Sequence, residues 1–201
     1  QESWASEMFL VGDRAYVMVH GWTEIGFGPA GVSRYGGQTT TQLIEVDLVS
    51  GRIGASIEFE GSHLSAREID GAIRFVAWTG MGNFPFVYPS NEAAEEGAEL
   101  ANRRIVENST IDDWLPSYRQ LDADGDVAAE GRLVECDRMH LPGDFSGFGS
   151  ITVLTVDANV GLEPVDVLGV VTDGQTIYAS TDRLTVATAQ YPEWGPDGRP
   201  V

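Results

Sequence analysis

TTTQLIEVDLVSGRIGASIEFE, residues 39–60, decides the fold. Thr39–Leu48 is rich in β-branched residues and partly alternates, Ser50-Gly51 turns the chain, and Ile53–Phe59 alternates again. That alternation predicts Ile53, Ala55, Ile57 and Phe59 on one face of a strand, with Ser56, Glu58 and Glu60 on the other. The same unit recurs. Ile151–Asp157 resembles Gln42–Asp47, both ending in Val-Asp before a turn, and Val165–Val171 mirrors Ile53–Phe59. A hairpin follows each copy: Leu64–Ile69 with Ile73–Trp78 around Asp70-Gly71, and Thr176–Ser180 with Arg183–Ala187 around Thr181-Asp182. Four short antiparallel strands recurring over about 40 to 50 residues predict propeller blades. A β-sandwich with chance similarity between its halves is the alternative.

Outward from these repeats, Phe9–Val11 and Ala15–Val19 flank a Gly12-Asp13 turn and predict an earlier hairpin. The stretch between the repeats, about residues 80–150, reads as an insertion. Ser90-Asn91-Glu92 opens a helix with early glutamates and late arginines, in the order that the helix dipole favours. Ala94, Ala98, Ala101 and Ile105 share one face. Thr110 and Asp113 form a capping-box variant for a second helix. Pro116 holds that helix to about one turn. Trp114, Leu115 and Tyr118 are expected to anchor the insertion to the sheet. Truncating a buried Trp114 would then cost about 3–5 kcal/mol. The lone cysteine, Cys136, is expected to be a small buried hydrophobe. The predicted fold class is all-β and antiparallel, a partial β-propeller with a small helical insertion, with residues 1–201 forming part of one propeller domain.

Charge excludes several functions. The chain has 201 residues, 12 basic and 31 acidic, for a net charge of −19. Nucleic acid and anionic lipid both require clustered Lys and Arg, so neither is an expected partner. No apolar run reaches the length of a membrane helix. The sequence from Gln1 lacks a basic segment followed by an apolar one, so any export signal is expected upstream.

Candidate chemistry is sparse. Gly26–Gly31 spells GxGxxG, but no strand and helix flank it, and a loop explains it. Asp122, Asp124 and Asp126 place carboxylates at alternate positions and form the one calcium candidate. The sixth and twelfth positions of an EF-hand loop, Val127 and Leu133, do not fit, and an acidic turn is the default. No other cofactor is expected. His20, His63 and His140 are dispersed, and His63 is expected to be a hydrogen-bonded structural residue. Asp112 and Asp113 adjoin Trp114 and Tyr118. Carboxylates beside aromatic rings suit a carbohydrate site, and a carboxylate pair suits glycoside hydrolysis, but adjacent residues on a helix point about 100° apart.

Longer motifs carry a family resemblance. Ser109–Pro116 (STIDDWLP), Leu133–Asp137 (LVECD), Phe145–Thr155 (FSGFGSITVLT), Tyr178–Leu184 and Leu64–Arg67 together resemble a family of secreted bacterial proteins, of actinobacterial type. These proteins carry a C-terminal β-propeller distantly related to WD40 repeats. The resemblance implies a propeller, export, attachment at the cell envelope and further blades beyond this chain. It supplies no activity and therefore no catalytic residues. The functional expectation is a non-catalytic extracellular or cell-envelope scaffold or binding module for protein or glycan. An envelope-acting hydrolase with its active site on a propeller face is the alternative. Unpaired sheet edges would be covered by the remaining blades of a longer chain or by self-association.

Overall fold

The computed structural model describes residues 3–24, 37–80, 84, 86–174, 176–180 and 183–188. The GxGxxG stretch, Thr181-Asp182 and the segment 191–201 lie outside these. Four strands follow one another at the start: β1 (Ser3–Val11), β2 (Arg14–Glu24), β3 (Gly37–Asp47) and β4 (Arg52–Glu60). They form an antiparallel meander. A hairpin of β5 (Ser62–Ile69) and β6 (Ala72–Thr79) comes next, then helix α1 (Glu95–Glu107). The strands β7 (Ser117–Leu121), β8 (Val127–Arg132) and β9 (Met139–His140) follow. The chain continues through β10 (Ser150–Asp157) and β11 (Pro164–Val171) and then the hairpin β12 (Thr176–Ala179) and β13 (Leu184–Ala187). Three sheets result, ordered β1-β2-β3-β4-β7-β8, β5-β6-β10-β11-β9 and β12-β13.

The repeat read from sequence is physical. In the first copy the Asp47 carboxylate accepts the backbone N–H groups of Val49 (3.0 Å) and Ser50 (2.6 Å) and so fixes the turn between β3 and β4. Those bonds, the one from Ser50 first, hold its pKa below the ordinary aspartate value. In the second copy Asp157 accepts from Asn159 N–H at 3.0 Å and fixes the turn between β10 and β11. A strand ending in Val-Asp is thus a strand followed by a side-chain-closed turn.

The two large sheets pack face to face. Tyr16, Met18, Leu43, Ile57 and Phe59 of the first meet Ala66, Ile73, Phe75, Ala77, Leu154 and Val156 of the second in one buried cluster. Tyr16 is fully buried, and its hydroxyl donates to the Ala158 carbonyl at 2.7 Å, across the sheet interface. This satisfies a phenol that would otherwise be costly to bury. Ile53 departs from the predicted face. The β3–β4 register slips between Ile44 and Val46, adding one residue on β4, so Ile53 pairs with Val46 and is 64% exposed. A bulge reverses the alternation, which period-two counting does not detect.

The insertion also differs from expectation. It is not only helical. The β7–β8 hairpin pairs with the edge of β4, placing Tyr118 opposite Phe59 and Leu121 opposite Ser56. The short β9 runs parallel to the edge of β11. The insertion therefore covers an edge of each large sheet. It leaves from Thr79 and returns at Ser150, which face each other in the β6–β10 pairing. The expected cap Asn91 makes no side-chain capping bond, and a 3-10 turn at Glu92–Ala94 precedes α1. Of the alanine stripe, Ala98 alone is buried.

One residue, Gly61, joins β4 of the first sheet to β5 of the second. Its φ is +128°, and a Cβ there would lie 2.8 Å from the Thr79 Oγ1. Its N–H donates to the Thr39 carbonyl and its carbonyl accepts from the Thr41 hydroxyl. Gly61→Ala is therefore expected to destabilise by about 2 kcal/mol or more, from backbone strain and overlap together. Gly97, in α1 with open space where a Cβ would go, predicts the opposite sign. Gly97→Ala should stabilise by about 0.5–1 kcal/mol. Urea unfolding of the two variants checks the pair.

Candidate functional site

Two concave surfaces are built from the insertion. The first is a cleft of about 720 Å³ where β4 meets β7, β8 and the 3-10 turn Ile111–Asp113. That turn is set by local chemistry. The Asp113 carboxylate accepts both the Thr110 N–H (2.7 Å) and the Thr110 hydroxyl (2.9 Å). The same bonds, the backbone one first, pull the Asp113 pKa below its ordinary value. Asp113 is committed there, whereas Asp112 lines the cleft with Tyr118, Glu58, Glu60 and Glu130. The carboxylates of the cleft are largely engaged. Asp112 pairs with Arg132 at 3.0 Å and Glu58 with Arg119 at 3.7 Å, while Glu60 accepts the Ser117 N–H at 3.0 Å.

The second surface is a groove of about 610 Å³ between α1 and the extended segment 86–89. Asn102 holds that segment to the helix, its amide nitrogen donating to the Val87 carbonyl (2.9 Å) and its amide oxygen accepting the Val87 N–H (2.7 Å). Pro89 removes a backbone donor from the segment, so a side-chain amide serves where a strand partner cannot. Phe86, Tyr88, Ala98 and Val106 line the groove, with Glu95, Glu99 and Arg103 around it. Tyr88 is 84% exposed, and Val87, Leu100, Val106 and Ile111 are exposed as well.

The anchors divide unevenly. Leu115 is buried and Tyr118 packs against the core. Trp114 is not buried as expected: it is 37% exposed, its ring lies 4.5 Å from that of Phe84, and its indole N–H donates to the Ser109 hydroxyl at 2.8 Å. Cys136 is exposed rather than buried, because Leu133 and Val134 take the inward positions before it. Its sulfur accepts a long contact from Arg132 at 3.8 Å. Asp122, Asp124 and Asp126 form the β7–β8 turn. The Asp122 carboxylate accepts the N–H groups of Asp124 and Asp126, both at 2.9 Å. Among the described residues no three His, Cys, Asp or Glu side chains converge as a metal-ligand group.

The sequence also separated two histidines that the fold brings together. His20 on β2 and His63 on β5 stack with ring centroids 5.4 Å apart. His63 Nε2 lies 3.8 Å from the Glu7 carboxylate, and among the described residues it has no hydrogen-bond partner. His63 is thus half-buried and hydrogen-bonded to the Ser65 backbone, as expected, with its Nε2 left over. Burial is the main cause lowering both pKa values below about 6.5, and for His20 the neighbouring His63 adds to it.

The motifs that carried the resemblance have a structural task. Phe145–Gly149 wraps Asp173, whose carboxylate accepts the Gly149 N–H (2.9 Å) and the Trp78 indole N–H (3.2 Å). A Cβ at Gly149 would lie 2.3 Å from that carboxylate, so the glycine is required by close approach. The aromatic segment 84–89, Asn102 and the glutamates of the cleft were not singled out as site residues from sequence, whereas Asp112 and Tyr118 were. The segment's Phe-Pro-Phe-Val-Tyr-Pro spelling, apolar yet barred by proline from a central strand, was the available signal.

Two stacked, mainly antiparallel sheets and a separate hairpin, with no closed barrel among the described residues, are consistent with a partial β-propeller. The model of the family described as Beta propeller domain matches residues 1–199, and the chain belongs to that family. Searches of curated proteins and of solved structures return no match.

Two measurements follow. Leu115→Ala should cost about 2–4 kcal/mol and Trp114→Ala only about 1 kcal/mol, since a surface ring loses less contact than a buried side chain. Denaturant unfolding separates them. For the histidines, lowered folded-state pKa values mean that the unfolded chain takes up protons first. Stability is therefore full above pH 6.5 and declines as pH falls below it towards the depressed values. Melting temperatures measured against pH should show that decline, and His20→Gln/His63→Gln should flatten it.

Proposed function

We propose that the protein is a non-catalytic binding module, exported to the cell surface or envelope, that contacts protein or glycan through its insertion. A β-propeller domain suggests a scaffold or binding module, and propellers commonly mediate protein interactions. The observation that carries the reading is the apolar groove between α1 and segment 86–89, with Tyr88, Val106 and, nearby in sequence, Trp114 exposed. Tyr88 offers a flat ring with a hydroxyl edge and Trp114 a partly exposed ring, side-chain types that anchor protein and sugar contacts at low entropic cost. Among the described residues no helix is long and apolar enough to cross a membrane.

The hydrolase alternative places its carboxylates in the neighbouring cleft. Salt bridges and a backbone bond already hold Glu58, Glu60 and Asp112, which favours a positioning role over proton transfer. Titration with soluble envelope polysaccharide, read by tryptophan fluorescence, tests the reading. Binding should be saturable, weaken at least tenfold in Tyr88→Ala/Trp114→Ala with the melting temperature nearly kept, and release no reducing ends. Release that Glu130→Gln abolishes would overturn it in favour of the hydrolase. A protein ligand would appear as envelope-protein binding sensitive to the same two substitutions.

A further inference from the structure

A third cavity, of about 300 Å³, lies on the far side of the second sheet from the core and is bordered by Ser180, Arg183 and Leu184. Its floor is apolar: Val76, Val153 and Leu168 lie side by side on β6, β10 and β11. Its rim holds three cations and one carboxylate, Asp166. Arg67 on β5 faces Arg74 on β6 directly across the antiparallel pair, and Arg183 lines the same cavity.

This arrangement opposes the rest of the molecule. The chain carries −19 in net charge and only 12 basic residues, and three of them line this one cavity. Like charges directly opposite one another on a sheet destabilise it. Among the described residues no carboxylate pairs with Arg67 or Arg74, and Arg67 donates to the neighbouring Ala66 carbonyl at 2.8 Å. The nearest carboxylate along the row is two strands away. Arg74 pairs with Thr155, and Thr155 with Asp166. Asp166 is itself engaged by Arg138. The row Arg67–Arg74–Thr155 is therefore two guanidinium forks and a hydroxyl facing a cavity with an apolar base.

We propose that this cavity binds a small organic anion, with an oxyanion group held by Arg67 and Arg74 and a compact apolar body resting on Val76, Val153 and Leu168. Two adjacent guanidinium forks match the geometry of a phosphate, sulfate or carboxylate group and supply charge-assisted bonds that a lysine would not reproduce. The volume suits a ligand of about one ring and one anionic group. The anion would remove the repulsion between the two arginines, so that occupancy also stabilises the β5–β6 pair. The site is separate from the insertion face and does not depend on its reading.

Phenyl phosphate is the probe, with phenol and inorganic phosphate beside it at constant ionic strength. Phenyl phosphate should raise the melting temperature saturably and give measurable heat by calorimetry. Inorganic phosphate should bind at least tenfold more weakly, and phenol should leave the melting temperature unchanged. Arg67→Gln and Arg74→Gln should each weaken phenyl phosphate at least tenfold, with Arg67→Lys between them and the unsubstituted protein. Without ligand, Arg67→Gln should melt at or above the parent temperature, because a like-charge pair is removed. Binding that survives both glutamine variants, equal binding of inorganic phosphate, or no saturable response to phenyl phosphate would each overturn the proposal.

Discussion

The structure depends on a connection one residue long. Gly61 takes the chain out of β4 and into β5, and so out of one sheet and into the other. A link that short leaves no room for the sheets to separate. Their inner faces must stack, and the side chains facing the joint must be compatible. Phe59 just before Gly61 and Ala66 just after it both enter the shared cluster. The joint is closed by three neighbours: the Thr39 carbonyl, the Thr41 hydroxyl and, between Thr39 and Ser62, a hydroxyl pair at 2.9 Å. The half-buried histidine stack lies nearby, since His20 pairs with Thr41 in the β2–β3 register. Packing, a restricted backbone and titratable groups therefore meet at one place.

From that joint the edges follow. Two stacked sheets leave outer strands with unpaired backbone groups, which would otherwise recruit other chains. The insertion supplies β7 to one edge and β9 to another. It serves the fold before it serves any ligand, and only its remaining surface is available for contact. Hence the apolar groove falls between α1 and segment 86–89, whereas the charged cleft falls where β7 and β8 join the sheet.

Much of the fold was legible because its signals are local. Hairpins around Gly12-Asp13, Asp70-Gly71 and the two Val-Asp turns depend on residues within a few positions, and the structure has each of them. The capping box at Thr110 and Asp113 is local as well. What failed to show is long-range or depends on a face. The bulge that exposes Ile53 arises from pairing with β3, not from the spelling of β4. Asp122 to Asp126 spells an acidic loop, but what gives it a role is the pairing of the strands on either side. Trp114 looked like an anchor because tryptophan is costly to expose, yet Leu115 took the inward position and Phe84 supplied a partner at the surface. The cation-lined cavity was the least visible, since Arg67, Arg74 and Thr155 become neighbours only through the β5–β6–β10 order.

The return of the insertion to its point of departure has a consequence for how such a protein can change. Thr79 and Ser150 occupy one rung of the β6–β10 ladder, so the whole excursion is closed by a pairing that exists without it. The entropy of closing a loop grows only with the logarithm of its length, so lengthening or shortening the excursion alters the free energy of the ladder little. The Asp173 clamp on Trp78 and Gly149 lies beside that rung and keeps both stems in place whatever lies between them. Segments of other sizes could be exchanged at this position between the strands that pair with the two sheets, with new contact surfaces arriving as single units.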